Sequence, residues 1–149
     1  MNYTNILNNK ETGENIAVNM IEDDMMVISQ DIAEVKKEGA QYIIVYIHWG
    51  KEYERFHSDS QRKLAEMLVN CGVNLIIGGH PHVVEDYEFI NNVPVFYSLG
   101  NFISSQPEDF RTESVGISLE FDGSFLMNIN CIPFKTEKDD KKYFTKVVG

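Results

Sequence analysis

Residues 73–82, Val-Asn-Leu-Ile-Ile-Gly-Gly-His-Pro-His, constrain the fold of this chain more than any other stretch. The first five are mostly apolar and include β-branched Val73, Ile76 and Ile77, so a short buried strand is expected over 73–77. Gly78 and Gly79 are expected to stop it, because glycine permits turns and close backbone approach. Pro81 fixes its own φ and favours an extended conformation at His80. His80 and His82 would then aim their ring nitrogens into one small volume at a strand's carboxyl end. Neutral imidazole is the commonest side-chain metal ligand, so this stretch reads as half of a metal site.

The segments before it supply the other half. Residues 1–15 read as a loop or ragged end, and residues 16–20 as a short strand. A helix is expected over 22–38. Met25, Ile28, Ile32 and Val35 make one apolar stripe, with acidic Glu22, Asp23 and Asp24 in the first turn and Lys36 and Lys37 in the last. Gly39 is its stop. Residues 42–47, Tyr-Ile-Ile-Val-Tyr-Ile, lack polar alternation and predict a strand covered on both faces, as in a parallel sheet. That run leads into His48-Trp49-Gly50 and a loop to His57. Ser58 with Gln61 fits a capping box. Leu64, Met67, Leu68 and Cys71 form the buried stripe of a second helix that Gly72 closes. Helix, strand, loop, helix, strand is an α/β unit with a right-handed crossover between parallel strands. Both strands then end on one edge, bringing His48, His80 and His82 together where ligand sites of open α/β sheets form.

The second half changes character. Residues 83–90 and 93–99 predict a hairpin over Asn91-Asn92, and residues 114–121 and 124–131 a second over Asp122-Gly123. Residues 104–113 read as a polar loop and 135–142 as a charged, solvated tail. No repeat or domain boundary interrupts residues 1–149, which read as one domain. The fold class is α/β, parallel strands with crossover helices followed by antiparallel hairpins.

Charge narrows the partners. Thirteen basic against 23 acidic residues give a net charge of −10, which repels phosphate backbones and argues against nucleic acid. No apolar run is long enough to span a bilayer, and residues 1–12 lack the pattern of a signal peptide. Cys71 and Cys131, the only cysteines, read as buried thiols and not as a disulfide or a zinc pair.

Imidazoles mixed with carboxylates suit manganese, iron or zinc, and two such ions would hold a bridging water as hydroxide. The second nitrogen of His80 and of His82 needs an acceptor to fix its tautomer. Asn101, in Ser98-Leu99-Gly100-Asn101-Phe102, either donates a hydrogen bond near the site or serves a turn with Gly100. Glu52 is either a general acid or base or a solvated loop carboxylate, and Tyr53 lies close enough to line the pocket. Trp49 reads as packing that shields the ligand loop. His57, the fourth histidine, reads as a surface residue.

Four motifs carry a resemblance: Tyr-Ile-His-Trp-Gly-Lys-Glu-Tyr at 46–53, Gln61 with Leu64-Ala65, Gly-Gly-His-Pro-His at 78–82, and Tyr-Ser-Leu-Gly-Asn-Phe at 97–102. Together they resemble the bacterial poly-gamma-glutamate capsule biosynthesis proteins of CapA type, themselves similar in fold to the calcineurin-like metallophosphoesterases. The resemblance runs from about residue 20 to residue 130. It implies a metallophosphoesterase-like sandwich, with His48 and His80 serving one ion and His82 the other. It also implies a metal-dependent hydrolase or transferase working on an anionic polymer or phosphoester, associated with the membrane and facing outward. Family members carry earlier Gly-Asp, Asn-x-Glu and Asn-Asn-His motifs that this sequence lacks, so it resembles the carboxyl-terminal half of that domain. Asp23, Asp24 and Asp31 lack those contexts. Half a domain would expose an unpaired strand edge, through which self-association is expected. A binding or assembly module that keeps the fold without the chemistry is the alternative.

Overall fold

The structure, a computed structural model, describes residues 1–4, 20, 21, 26–106, 109–123 and 125–148. Its larger sheet holds five strands: β1 (Asn2–Thr4), β2 (Ile44–His48), β3 (Leu75–Gly79), β4 (Tyr87–Ile90) and β5 (Val93–Phe96), in the order β1-β2-β3-β5-β4. The β1–β2, β2–β3 and β3–β5 pairs are parallel, and β4–β5 is antiparallel. Helix α1 (Met26–Lys37) precedes β2, and α2 (Asp59–Asn70) connects β2 to β3. The chain is thus the expected α/β arrangement.

One face of this sheet is the core. Val45 pairs with Ile76 and Ile76 with Val95, so these three share a row and a face. Ile28 and Ile32 of α1 and Ala65 and Leu68 of α2 pack on them, all at most 2% exposed. Each large apolar side chain buried there contributes roughly 1.5–3 kcal/mol. The expected two-sided cover is met only in part: on the face opposite Val45 and Ile76, Leu75 and Phe96 are buried while Tyr46 is 46% exposed.

The helix ends follow their signals. Ser58 caps α2 through a complete capping box with Gln61, and Gly39 and Gly72 hold positive φ where the helices stop. The first turn expected for α1, at 22–25, lies outside the described residues, as do 5–15 of the expected loop and 16–19 of the expected strand. Met20 forms a parallel bridge with Thr4. Residues 2–4 are not loop but strand, because Tyr3 buries its ring and donates its hydroxyl to Asp31 at 2.8 Å. Three residues are too few to show a period in sequence.

The second sheet is antiparallel: β6 (Glu113–Asp122), β7 (Phe125–Asp139) and β8 (Lys142–Val147). The predicted solvated tail is therefore corrected. Residues 135–139 continue β7 and pair with β8, with Thr136 at 4% exposure between half-buried Lys135 and Glu137. The second half is not wholly antiparallel either, since β5 enters the first sheet parallel to β3. The Asn91-Asn92 hairpin forms as expected, both residues at positive φ.

Candidate metal centre

His48 ends β2 and lies in register with Gly79, the last residue of β3. His80 follows immediately. The His48 and His80 ring centroids stand 4.5 Å apart, and those of His80 and His82 6.2 Å apart. The parallel register thus brings the three histidines to one rim of the sheet.

The two glycines do not stop β3; they are its last two residues. Their lack of a side chain serves close approach. A Cβ on Gly78 would lie 1.9 Å from the Tyr97 carbonyl oxygen, and one on Gly79 2.3 Å from the Tyr46 hydroxyl. Trp49, fully buried, fills the space beside Gly78 and donates its indole N–H to the Tyr97 carbonyl at 2.8 Å. It packs as the sequence implies.

His80 is not extended. Its φ is +103°, and that of His82 is +61°. Proline limits the preceding residue chiefly through ψ, so it did not set the sign of φ at His80. Non-glycine residues at positive φ carry strain that the surroundings must hold in place. Part of that hold is visible: Tyr53, itself at φ +69°, donates its backbone N–H to the Pro81 carbonyl at 2.8 Å.

The electrostatics favour neutral rings. Burial, then the neighbouring histidines, pushes His48 below the ordinary imidazole pKa. Burial also pushes His80 down; Glu52 opposes that shift and His82 adds to it. A neutral imidazole keeps a lone pair for an ion. His80 Nδ1 is buried with no hydrogen-bond partner among the described residues, an orphan that a bound cation would satisfy. His82 Nδ1 lies 2.8 Å from Asn101 Oδ1, while the Asn101 amide nitrogen donates to the His82 carbonyl at 3.2 Å. With its oxygen toward the ring, Asn101 accepts the Nδ1 proton and leaves Nε2 as the lone-pair nitrogen. That Nε2 stands 4.0 Å from Glu52 Oε1 on a half-exposed side chain. Asn101 is therefore bound up with His82 rather than offered to a substrate, and the positive φ of the turn falls on Gly100. Among the described residues, no three His, Cys, Asp or Glu side chains form a group that would hold an ion. The donor chemistry fits a divalent metal, but the set is partial.

His57 is not a surface residue. Its ring stacks on Tyr97 with centroids 4.0 Å apart, and its Nδ1 lies 3.0 Å from Asp86. Nothing local in the sequence marks Asp86 as its partner. Glu85 beside it is 6% exposed and accepts from Gln61 at 3.0 Å, a further buried group without a sequence signal. Cys71 is partly exposed at the end of α2 and Cys131 is exposed, both as free thiols, which corrects the expectation of burial. A cleft of about 540 Å³ lined by Tyr42, Asn74, Phe89, Pro94 and Met127 includes none of the histidines. No helix among the described residues is long and apolar enough to cross a membrane.

Comparison with known proteins agrees with the motifs. The family described as bacterial capsule synthesis protein PGA_cap matches residues 2–106. A PGA biosynthesis protein CapA from Bacillus subtilis (strain 168) is 45% identical over 75 residues, 50% of this chain and 20% of that protein. A capsule biosynthesis protein CapA from Bacillus anthracis is 29% identical over 113 residues, 76% of this chain and 28% of that protein. An uncharacterized protein, y4sH, of Sinorhizobium fredii is 34% identical over 65 residues, 44% of this chain and 13% of that protein. The chain thus spans between about a fifth and three tenths of the length of the two capsule relatives.

Proposed function

We propose, because this chain belongs to the bacterial capsule synthesis protein family PGA_cap, that it supplies the histidine side of a divalent-metal site in a protein that makes or releases an anionic capsule polymer. The observation that carries this reading is the convergence of His48, His80 and His82 on one sheet rim, with ring centroids 4.5 and 6.2 Å apart. Manganese, iron or zinc held there would polarise a phosphoryl or acyl group and lower the pKa of bound water. His48 and His80, being closest, would share one ion, and His82 would serve a second. Asn101 holds His82 in the tautomer that presents Nε2. Glu52, whose Oε1 lies 4.0 Å from that nitrogen and outside direct hydrogen-bond reach, would serve as general acid or base for a group bound between them. Trp49 keeps water from the base of the site. The carboxylate donors would come from another part of a longer protein, as the share of the relatives covered suggests.

A second reading is a binding or assembly module. The lack of an ion-holding group among the described residues favours it. The two separate in a protein extended at its amino end, assayed for metal content and for turnover of a model phosphodiester and of a gamma-glutamyl polymer. The metal reading predicts bound metal, and a fall in turnover of about a hundredfold or more in His48→Ala and His82→Ala. A folded, metal-free protein that binds polymer without turnover would establish the second reading.

A further inference from the structure

The loop over residues 50–57 carries Glu52 and Tyr53 to the histidine rim, and both of its ends rest on Tyr97. That residue is fully buried and donates its hydroxyl to Glu88 at 2.7 Å. Before the loop, the Trp49 ring stacks on Tyr97 with centroids 5.5 Å apart and donates its indole N–H to the Tyr97 carbonyl. At the far end, the His57 ring stacks on Tyr97 with centroids 4.0 Å apart and planes 13° apart. His57 also joins this loop to the segment that follows His82. Its backbone N–H donates to Asp86 Oδ1 at 3.0 Å, and its Nδ1 lies 3.0 and 3.1 Å from the two Asp86 oxygens. A carboxylate only accepts, so Nδ1 carries the proton. Asp86 is itself fixed: its carbonyl accepts from the Tyr97 N–H at 3.4 Å, and Glu85 before it donates its N–H to the Ser98 carbonyl at 3.1 Å.

Between those ends the backbone is strained. Tyr53, at φ +69°, donates its N–H to the carbonyl of Pro81, which stands between His80 at +103° and His82 at +61°. Non-glycine residues leave that region unless their surroundings hold them there. Arg111 over the Tyr53 ring, 3.6 Å from its centroid, holds the side chain. The main chain depends on the anchored ends of the loop. Lys51 pairs with Glu54 inside the loop itself. We propose that the His57–Asp86 pair is a positioning device: it holds the loop so that Glu52 and Tyr53 stand beside His82, and it takes no part in the chemistry. This rests on the functional reading above for what Glu52 and His82 do, but not for where the loop is held.

Amide hydrogen exchange of the full, metal-free chain tests the placement, and zinc titration tests its consequence. His57→Phe keeps a ring against Tyr97 and loses the Nδ1 donor. In it the Tyr53 amide should exchange about tenfold or more faster, with the Val45 and Ile76 amides unchanged. Asp86→Ala should do the same, and the double variant should add nothing further, since both changes remove one contact. His57→Asn, whose amide nitrogen can stand in for Nδ1, should recover much of the protection. Zinc should bind His57→Phe about tenfold more weakly than wild type, because Glu52 no longer stands beside His82. Unchanged Tyr53 exchange in His57→Phe, or exchange raised equally at Tyr53, Val45 and Ile76, overturns the proposal. Wild-type zinc affinity alongside a released Tyr53 overturns it as well. If His57→Phe fails to fold, judged by circular dichroism, Asp86→Ala decides by the same readings. If the wild-type chain binds no zinc, the metal reading fails and Tyr53 exchange alone decides where the loop is held.

Discussion

Glu85 lies three residues beyond His82, and burial raises its carboxyl from an ordinary 4.5 to about 7. The hydrogen bond from Gln61 and the nearby His57 oppose the shift, while Asp86 and Glu54 add to it. A raised carboxyl binds more protons in the folded chain than in the unfolded one between those two values. Its contribution to stability is therefore full below about pH 4.5 and is lost as pH rises through about 7. Glu85→Gln should remove that loss and be roughly 2–3 kcal/mol more stable than wild type near pH 8, with little difference near pH 4.5, by urea unfolding at the two pH values. At this scale the sequence was readable where a residue sits next to its own signal. Gly78-Gly79-His80-Pro81-His82 announced a site at a strand end, and Trp49 announced packing. It was not readable where the partner is distant. Asp86 is 29 residues from His57, and Arg111, which stacks on Tyr53, follows it in sequence only after β4 and β5. The sign of φ at His80 was also hidden, because the proline signal concerns ψ.

Among the elements, α2 shows how one residue can serve several purposes. Gln61 closes the capping box, donates to Glu85 at 3.0 Å, and lies where a side chain on Gly50 would have to go. Ser58→Ala removes only the cap and should cost about 1 kcal/mol in urea unfolding. Gln61→Ala should cost more, since it also leaves a buried carboxyl without its donor. Equal losses in the two variants would show that the Glu85 contact contributes nothing. The helices and central strands were legible because apolar period, caps and glycine stops agreed. The strand at 135–139 was hidden by its charges: half-buried Lys135 and Glu137 flank a single buried Thr136 and exposed Lys138 follows, so the stretch reads as a charge run. The parallel entry of β5 was hidden because a hairpin signal fixes β4 against β5 and says nothing of the next neighbour.

For the whole molecule, the parallel sheet is what converts three histidines, separated by 32 and 2 residues in sequence, into neighbours in space. Register does this: His48 pairs with Gly79, so the residue after Gly79 stands beside His48. Family membership was legible from four motifs, whereas the donors that would complete a metal centre do not appear among the described residues. The central proposal is that the three rim histidines, and not His57, supply imidazole ligands to a divalent ion, with His82 in its Nδ1–H tautomer. Histidine-selective ¹⁵N NMR of the chain during zinc titration tests it directly. The account predicts a protonated Nδ1 on His82 before metal is added, then shifts of the His48, His80 and His82 ring nitrogens while His57, held by Asp86, stays put. Zinc-induced shifts confined to His57, or none at the other three, would contradict it.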